Sequence, residues 1–156
     1  DADLEYDPND LNIIINLFKK KKSIKVIYGS RFLNKSNYLN LSKDKKFRFI
    51  ANYILTSINN ILNSQNLTDA HTCYKVFTKE VFSNIFLQEK RFAFCSEVNT
   101  KLSNLGIKIL EIPIKYYGRD YNAGKKIGLK DAFASIKAII DYNYFDRYYL
   151  NKFKNE

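Results

Sequence analysis

The sequence predicts one domain that combines helices and strands, of the α/β or α+β class. Its 156 residues are 46% hydrophobic, which is enough to bury one ordinary core. No run approaches the roughly 20 uninterrupted apolar residues that cross a bilayer, and the acidic start is unlike a basic secretory signal. We therefore expect a single domain over residues 1–156. The chain contains no methionine, so we also expect it to be a piece of a longer protein.

The first half of the chain alternates between helix and strand patterns. Asp7 followed by Pro8 is a helix start, and the apolar spacing that follows predicts a helix over about 8–21. The segment 25–31 (KVIYGSR) has the β-branched and aromatic bias of a strand. Residues 33–43 are rich in Asn and Ser, which predicts a loop.

A long amphipathic helix is predicted over 44–63, with basic residues at its N-terminal end. Its apolar positions recur at helical spacing: Phe47, Ile50, Ala51, Ile54, Leu55, Ile58, Ile61 and Leu62. Such a face packs against a core or lies on a membrane surface. We favour the core-facing interpretation, and the two do not exclude each other.

The second half predicts two more strands and three helices. The strands cover about 72–77 and 108–116, and the helices begin at about residues 79, 96 and 129, the last ending near 142. Thr78 is a suitable cap for the first of these helices, and Gly106 is a favourable residue after the second. Pro113 favours the edge of a sheet or a bulge for the strand that contains it.

The net charge of +10 is unevenly distributed along the chain. Residues 1–16 carry five acids and no Lys or Arg, whereas residues 19–48 carry eleven basic residues. A basic face favours nucleic acid as a partner. We discount that partner, because Lys, Asn, Ile, Tyr and Phe are abundant together, which indicates a coding bias. This separation of charge is consistent with a metal-binding acidic end and a basic end that binds phosphate or a membrane.

Cysteine and histidine are too scarce for a disulfide framework or a zinc site. Cys73 and Cys95 lie far apart, and His71 is the only histidine. We expect both thiols to be reduced and buried. Residue type alone would allow His71 to act as a base, but a packed or hydrogen-bonded ring is the favoured interpretation.

Asp1 and Asp3 are candidate metal ligands. They come just before a helix start, where a strand would end, and alternate residues of an extended segment can direct their carboxylates into one crevice. Hard oxygen ligands of this kind bind Mg²⁺ or Mn²⁺, with water and diphosphate oxygens in the remaining positions. A lone Asp-x-Asp pair is more often two surface acids, so this hypothesis depends on the other motifs.

Five segments in a fixed order carry a resemblance that runs from residue 1 to about 131. They are DADLEYDP, VIYGSRF, LTDAHTCYKVF, SEVNTKL and EIPIKYYGRDYNAGKKIGLKD. In order and spacing they resemble the family-2 glycosyltransferases of the dolichol-phosphate mannose synthase type. The resemblance implies the acceptor-side, C-terminal part of a GT-A fold, which is Rossmann-like with a mixed sheet, and nucleotide-binding strands that precede Asp1.

The same resemblance implies an activity. It implies a metal-dependent, inverting transfer of a sugar from a nucleotide diphosphate sugar to a polyprenyl phosphate, either dolichyl or undecaprenyl. The metal would be Mg²⁺ or Mn²⁺, and the enzyme would lie in the cytoplasm, peripherally at the cytoplasmic face of a membrane. No nucleic acid partner is implied.

Roles at the metal and phosphate sites follow from the resemblance. Asp1 and Asp3 resemble the carboxylates that hold the metal and the diphosphate. Glu5 stands where the family usually has a glutamine and resembles a third ligand, with a solvated side chain as the alternative. Arg31 resembles the arginine that meets the acceptor phosphate, for which a forked guanidinium is better suited than lysine. Arg48 is a second candidate, and a solvated arginine is nearly as favoured.

Two acids resemble groups near the transferred sugar. Asp69 resembles the active-centre aspartate, and because a phosphate acceptor is already ionised, we expect it to orient groups or bind sugar hydroxyls. Turn or helix capping is the alternative for Asp69. Glu97 resembles the acid that faces the sugar, and stabilisation of a helix N-terminus is an equal alternative.

The segment 118–128 resembles a lid that closes over the nucleotide diphosphate. Arg119, Lys125 and Lys126 lie in it, and cations there would offset charge on the departing diphosphate. The glycine spacing does not match a P-loop.

Other functions stay open at this point. A family-2 transferase that acts on a saccharide acceptor is the alternative enzyme, although the processive signature that requires tryptophan is absent from this chain. A basic lipid- or nucleic-acid-binding module without catalysis is the alternative from another class.

Overall fold

The fold is a short mixed sheet with helices packed against both of its faces. The computed structural model describes residues 5–33, 43–117 and 129–146. In chain order the elements are α1 (Asn9–Lys20), β1 (Val26–Ser30), α2 (Lys43–Asn63), β2 (Lys75–Phe77), α3 (Lys79–Ser83), α4 (Ala93–Asn104), β3 (Ile109–Pro113), α5 (Leu129–Asp141) and a π-helical turn (Tyr142–Asp146). This architecture confirms the α/β class and is compatible with part of a Rossmann-like domain.

β1 is the central strand of the sheet that the described residues form. It pairs with β2 in the antiparallel direction and with β3 in the parallel direction. All of β1 is buried, because successive side chains of a strand face opposite sides and both sides are covered. Val26 and Tyr28 pack in one cluster with Val98 of α4, whereas Ile27 packs in another with Ile14 of α1.

The strand directions bring several chain segments to one edge of the sheet. β1 and β3 are parallel and β2 is antiparallel, so the ends of β1 and β3 and the start of β2 lie side by side. The residues before α1 join them, because Tyr6 forms an isolated bridge with Tyr116. Open α/β sheets bind ligands at the carboxyl ends of their parallel strands.

The helix signals in the sequence are confirmed with small differences. Asp7 Oδ1 accepts the Asn9 N–H at 2.9 Å, and Pro8 has helical dihedral angles. The Thr78 side chain caps α3, and Gly106 follows α4 with a φ of +67°. α4 begins at residue 93 rather than 96.

The strand predictions are correct in position but too long. β2 covers Lys75–Phe77 instead of 72–77, because the Thr72 hydroxyl donates to the Gly29 carbonyl and the residues before Lys75 form turns. β3 ends at Pro113, on the side of β1 opposite β2, so the expected edge position of this proline is confirmed within the described sheet.

α2 buries a polar face and exposes much of its apolar face, which overturns the core-facing interpretation of its apolar stripe. Its buried residues include Asn52, Thr56, Asn59 and Asn63, whereas its exposed residues include Phe47, Ile50, Tyr53, Ile54, Ile61 and Leu62. Among the predicted apolar positions Leu55 is buried. The reason is a hydrogen-bonded amide network in which Asn59 Oδ1 accepts from the side chains of Asn63 and Asn99. Buried amides are stable only when such partners are present.

Candidate functional site

Four of the five motif segments meet at the carboxyl end of β1. Arg31, directly after β1, forms an ion pair with Asp69. The Tyr6 hydroxyl accepts the Cys73 N–H at 3.3 Å, and the Tyr6 ring packs edge-on against Tyr116. The fifth segment lies in α4, which packs against β1 and contributes buried residues to the same hydrophobic cluster.

The Arg31–Asp69 pair is the geometric centre of this site. Arg31 Nε donates to Asp69 Oδ2 at 2.6 Å and Nη2 donates to Oδ1 at 2.7 Å, while the Arg31 backbone N–H also donates to Oδ2 at 3.1 Å. Burial alone would raise the pKa of Asp69, but the guanidinium more than offsets this and holds the pKa below its usual value. The Asp69 side chain is fully buried, whereas Arg31 keeps 17% of its side chain exposed. Arg31 is therefore the member of the pair that a ligand can reach.

Glu111 and Asn52 fix the backbone and side chain of Asp69. Glu111, in β3, accepts the N–H groups of Thr68 and Asp69 at 2.7 and 3.0 Å and the Thr68 hydroxyl at 2.9 Å. Asn52, in α2, donates to Asp69 Oδ1 at 3.3 Å. Burial raises the pKa of Glu111. These contacts hold the Asp69 backbone and side chain in place.

Lys75 holds the opposite, carbonyl side of the same turn. Its Nζ donates to the carbonyl oxygens of Ala70 and Thr72, each at 2.9 Å, and lies 4.3 Å from the centre of the Tyr28 ring. The turn from Asp69 to Thr72 is thus fixed by a carboxylate at its amides and by an ammonium group at its carbonyls.

Aromatic rings surround the Arg31 guanidinium. Its central carbon lies 5.4 Å from the centroid of the Phe32 ring and 5.2 Å from that of Tyr116, within the range of a cation–π contact. The Tyr6 ring packs 4.8 Å from Tyr74, and burial raises the pKa of the Tyr6 hydroxyl, which therefore stays protonated. A rigid guanidinium among aromatic rings can bind an oxyanion such as a phosphate oxygen.

The predicted metal ligands are only partly within the described residues. Asp1 and Asp3 lie outside them. Glu5 is half-buried, and its Oε2 accepts from the Tyr116 hydroxyl at 3.2 Å, which places this carboxylate one ring away from Arg31. No group of three or more His, Cys, Asp or Glu residues that could hold a metal occurs in the described part of the chain.

Of the remaining predicted site residues, the described part of the chain includes Arg48 and Glu97. Arg48 is half-buried near the start of α2. Glu97 is fully buried in α4 and accepts the backbone N–H groups of Gln88 and Glu89 and the Lys101 ammonium, which are contacts that fix the loop before α4. Arg119, Lys125 and Lys126 lie outside the described residues.

His71 and Cys73 differ in environment although they are close in sequence. The His71 ring is buried, and among the described residues neither of its nitrogens has a hydrogen-bond partner. Burial and the nearby Lys75 lower the pKa of His71 to about 4, so the ring is neutral. Cys73 is exposed, which corrects the expectation that both thiols are buried, and Cys95 is half-buried. Cys73 is exposed because it lies in the turn before β2 rather than in a strand.

Sequence reasoning missed the residues that support the pair. Glu111 could have been noticed as a single acid in an otherwise apolar strand pattern, and Asn52 as a polar residue inside a long helix. Their partners could not have been named, because the hydrogen bonds of Glu111 and Asn52 to the Asp69 turn span 42 and 17 residues of sequence.

Comparisons with known proteins give two distant similarities. A low-salt glycan biosynthesis hexosyltransferase, Agl6, from Haloferax volcanii is 25% identical over 123 residues, which are 79% of this chain and 29% of that protein. An uncharacterized protein of Methanocaldococcus jannaschii is 26% identical over 129 residues, 80% of this chain and 51% of that protein. The chain therefore spans about half or less of these relatives. No protein-family profile and no solved structure matches the chain.

Proposed function

We propose that this chain is the acceptor-side part of a glycosyltransferase that moves a hexosyl group from a nucleotide diphosphate sugar to a polyprenyl phosphate. The similarity to a hexosyltransferase supports a glycosyltransferase role. The observation that carries the proposal is the meeting of four motif segments around the Arg31–Asp69 pair.

The proposed reaction is a direct displacement at the anomeric carbon. An oxygen of the acceptor phosphate forms the new bond to C1 of the sugar while the bond from C1 to the nucleotide diphosphate breaks, so the configuration inverts. The acceptor oxygen is ionised at neutral pH, and no strong base is required. Arg31, held in place by Asp69, would orient the acceptor phosphate and offset its charge.

A divalent cation belongs to this proposal as well. Glu5 lies at the site, and with Asp1 and Asp3 it would provide the hard oxygen ligands that Mg²⁺ or Mn²⁺ prefers. The ion would neutralise charge on the leaving diphosphate. We expect Asp3→Asn to abolish the metal-dependent turnover and leave the fold unchanged, as measured by transfer in Mg²⁺ and in Mn²⁺. Retained activity with Mn²⁺ would remove Asp3 from the metal site.

The decisive experiment is a transfer assay on the full-length protein. Radiolabelled GDP-mannose and UDP-glucose are tested with dolichyl and undecaprenyl phosphate as acceptors, and we expect a labelled lipid phosphate product. Arg31→Lys should raise the KM for the lipid phosphate by about 10- to 100-fold, as for a lost charged hydrogen bond, with little change for the donor. Arg91→Lys is the matched control, because Arg91 is an exposed arginine of α4's preceding loop.

The outcomes of this assay separate the parts of the proposal. Equal effects of Arg31→Lys on both substrates would make Arg31 a structural residue. Transfer to a saccharide instead of a lipid phosphate would support the glycosyltransferase activity and contradict the proposed acceptor. No transfer from any nucleotide sugar would overturn the proposal as a whole.

The segment 118–128 is proposed to close over the donor diphosphate. If Arg119 and Lys125 stabilise the departing charge, their contacts strengthen in the transition state, and Arg119→Ala or Lys125→Ala should lower the single-turnover rate about 10²- to 10³-fold. A decrease in rate of less than about fivefold corresponds to the free energy of an exposed ion pair. That result would indicate that both residues lie in a solvated loop. Lys126 is expected to contact the same diphosphate.

The exposed apolar face of α2 is proposed to contact the membrane that holds the acceptor lipid. This face carries Phe47, Ile50, Ile54 and Ile61, and basic residues precede and begin the helix, the combination that lets a helix lie on an anionic bilayer. Within the described residues, no helix meets the length and apolarity that crossing a membrane requires. We expect Ile50→Asp with Ile54→Asp to reduce flotation with phosphatidylserine vesicles, whereas Ile13→Asp, at an exposed position on α1, should not.

A further inference from the structure

The four backbone amides from Leu67 to Ala70 all donate to side chains of other elements. Asn60 of α2 accepts the first at 2.9 Å, and Thr56 of α2 accepts the last at 3.2 Å. Glu111 of β3 accepts the two in between, with a different carboxylate oxygen for each, at 2.7 and 3.0 Å. This stretch of backbone is therefore held by side chains from two elements, the helix α2 and the strand β3.

Of these three side chains, Glu111 is the one that bonds the Asp69 amide itself. Its Oε2 also accepts the Thr68 hydroxyl at 2.9 Å, so the carboxylate accepts three hydrogen bonds. Half-burial of this charge is unfavourable, and it raises the pKa of Glu111. Glutamine has the same size without that cost, but it has one accepting oxygen and an NH₂ group that only donates. It would therefore leave one of the two amides facing another donor.

The contacts of Glu111 continue through Asp69 to the Arg31 guanidinium. The Asp69 carboxylate accepts Nε and Nη2 of Arg31 at 2.6 and 2.7 Å. The side chain of Arg31 is 17% exposed and that of Asp69 is fully buried, so a ligand reaches the guanidinium and not the groups behind it. The parallel register of β1 and β3 places Tyr28 opposite Glu111, three residues before Arg31. Both ends of this chain of contacts are thus attached to the same pair of strands.

We propose that Glu111 is a positioning residue, which fixes the Asp69 turn so that the Arg31 guanidinium is directed at the acceptor phosphate. This inference rests on the proposed function, because it takes a phosphate as the ligand of Arg31. A guanidinium that is already in place loses less conformational entropy when the phosphate binds. Loss of the Glu111 contacts should therefore weaken acceptor binding, although no group that touches the acceptor is removed.

The kinetic test uses an isosteric change in the full-length protein. Glu111→Gln keeps the size of the side chain but leaves one turn amide without an acceptor. In the transfer assay we expect the KM for the lipid phosphate to rise about 10-fold, the lower end for a hydrogen bond to a charged group, with an unchanged KM for the nucleotide sugar. Thr78→Ala is the control for stability, because it removes the cap of α3 at the end of β2 away from the turn. It should lower the urea midpoint and leave both KM values unchanged.

A double variant separates positioning from a general loss of stability. Arg31→Lys removes the fork that Glu111 is proposed to position. On that background, Glu111→Gln should raise the KM for the lipid phosphate by less than about twofold, whereas independent effects would multiply. A double variant that shows the product of the two single effects would overturn the inference.

A spectroscopic test observes the guanidinium without any transfer reaction. The full-length protein is labelled with ¹⁵N-arginine, and the Nε–H signal that disappears in Arg31→Lys identifies Arg31. This proton donates to a buried carboxylate, so it should exchange slowly with water in the wild type and about 10-fold faster in Glu111→Gln. Its exchange in Thr78→Ala should match the wild type. Equal exchange in Glu111→Gln and the wild type would contradict the positioning role.

A second variant tests the same contacts if Glu111→Gln does not fold. Glu111→Asp keeps the charge, but its side chain is one methylene shorter, so the carboxylate no longer reaches both amides at hydrogen-bond distance. We expect the KM for the lipid phosphate to rise about threefold, the value of a weakened hydrogen bond, together with faster exchange of the Arg31 Nε–H. An unchanged KM and unchanged exchange in this variant would disprove the inference.

The outcomes distinguish this inference from the proposed function. If the wild-type protein transfers no sugar to any lipid phosphate, the proposed function fails, and the role of Glu111 in acceptor binding fails with it. If the wild type transfers sugar and a folded Glu111→Gln has unchanged kinetic constants, this inference alone fails. A selective rise in the KM for the lipid phosphate, absent on the Arg31→Lys background, supports it.

Discussion

The Arg31–Asp69 pair connects two residues that the sequence marked separately. Each was predicted to lie near substrate on its own motif, and the structure joins them in a two-point contact across 38 residues of sequence. No local pattern could predict this pairing, because it depends on β1 and the turn before β2 lying at the same sheet edge. Whether each residue acts in transfer stays a prediction.

Removing one member of the pair should be far more damaging than removing both. Asp69→Asn takes away the buried carboxylate that offsets the half-buried Arg31 charge and should lower the free energy of unfolding by about 3–5 kcal/mol. The double variant Arg31→Met with Asp69→Leu removes both charges of the pair and should cost less than Asp69→Asn alone. Urea denaturation of the wild type and of these two variants measures this, and a double variant less stable than Asp69→Asn would contradict a coupled pair.

The depressed pKa of His71 predicts an acid-sensitive stability. The pKa is about 4 in the folded protein against an ordinary 6.5, so between these pH values the unfolded chain binds a proton that the folded chain does not. Folding with a neutral ring carries no proton penalty above pH 6.5, and the penalty grows to about 3 kcal/mol as pH falls toward 4, so the free energy of unfolding falls by that amount. Urea denaturation from pH 7.5 to 4 should show this loss in wild type relative to His71→Met, and parallel pH curves would contradict it.

At the scale of elements, helix and strand positions were predictable and the burial of α2 was not. Apolar spacing identified a helix over 44–63, and α2 covers Lys43–Asn63. The same spacing pointed to the wrong buried face, because the side chains of Asn52, Asn59 and Asn63 have partners in the Asp69 turn, on α4 and in the π-helical turn. The spacing of apolar residues shows which face of a helix is apolar. Which face is buried also depends on whether the polar side chains find hydrogen-bond partners inside the protein.

Gly29 is the position where β1 tolerates no side chain. A Cβ there would lie 2.7 Å from Ile114 Cγ2 and 3.0 Å from Tyr74 Cβ, so Gly29→Ala should lower the free energy of unfolding by about 1–3 kcal/mol through overpacking. Gly106 provides the contrast, because a Cβ there meets nothing within 4 Å and the constraint is its φ of +67°. Asparagine tolerates positive φ. In thermal unfolding, Gly106→Asn should therefore leave the Tm nearly unchanged, whereas Gly29→Asn should lower it. Equal tolerance at both positions would contradict the close packing at Gly29.

At the scale of the whole molecule, the order of motifs predicted the α/β class but not how the sheet is arranged. Parallel pairing of β1 with β3 joins Val26 to Ile109, and antiparallel pairing with β2 joins it to Phe77. Neither pairing is encoded by a turn, so strand order could not be derived from the sequence. The contacts of Glu111 and Lys75 with the Asp69 turn depend on this strand order, so they could not be predicted from the sequence either.

Ligand binding at this sheet edge should stabilise the whole domain. A ligand that binds the folded state at 100 times its Kd adds about 2.7 kcal/mol to the free energy of unfolding. Farnesyl phosphate, a soluble analogue of the proposed acceptor, should therefore raise the Tm of the full-length protein, and farnesol should not. Arg31→Lys should reduce the shift, while Arg91→Lys should preserve it. An equal shift with farnesol would attribute the binding to the hydrocarbon chain alone.

The pairing of β1 with β3 also has a consequence for the order of assembly. Before Val26 can meet Ile109, the chain between them must be drawn into a large loop, and the entropy of that closure is lost before any strand hydrogen bond forms. Local helices such as α2 and α4 can form first, whereas Arg31 and Tyr116 become neighbours only when this loop closes. Folding should therefore be slow for a chain of this size, and the amide protons of β1 should be the last to exchange with solvent.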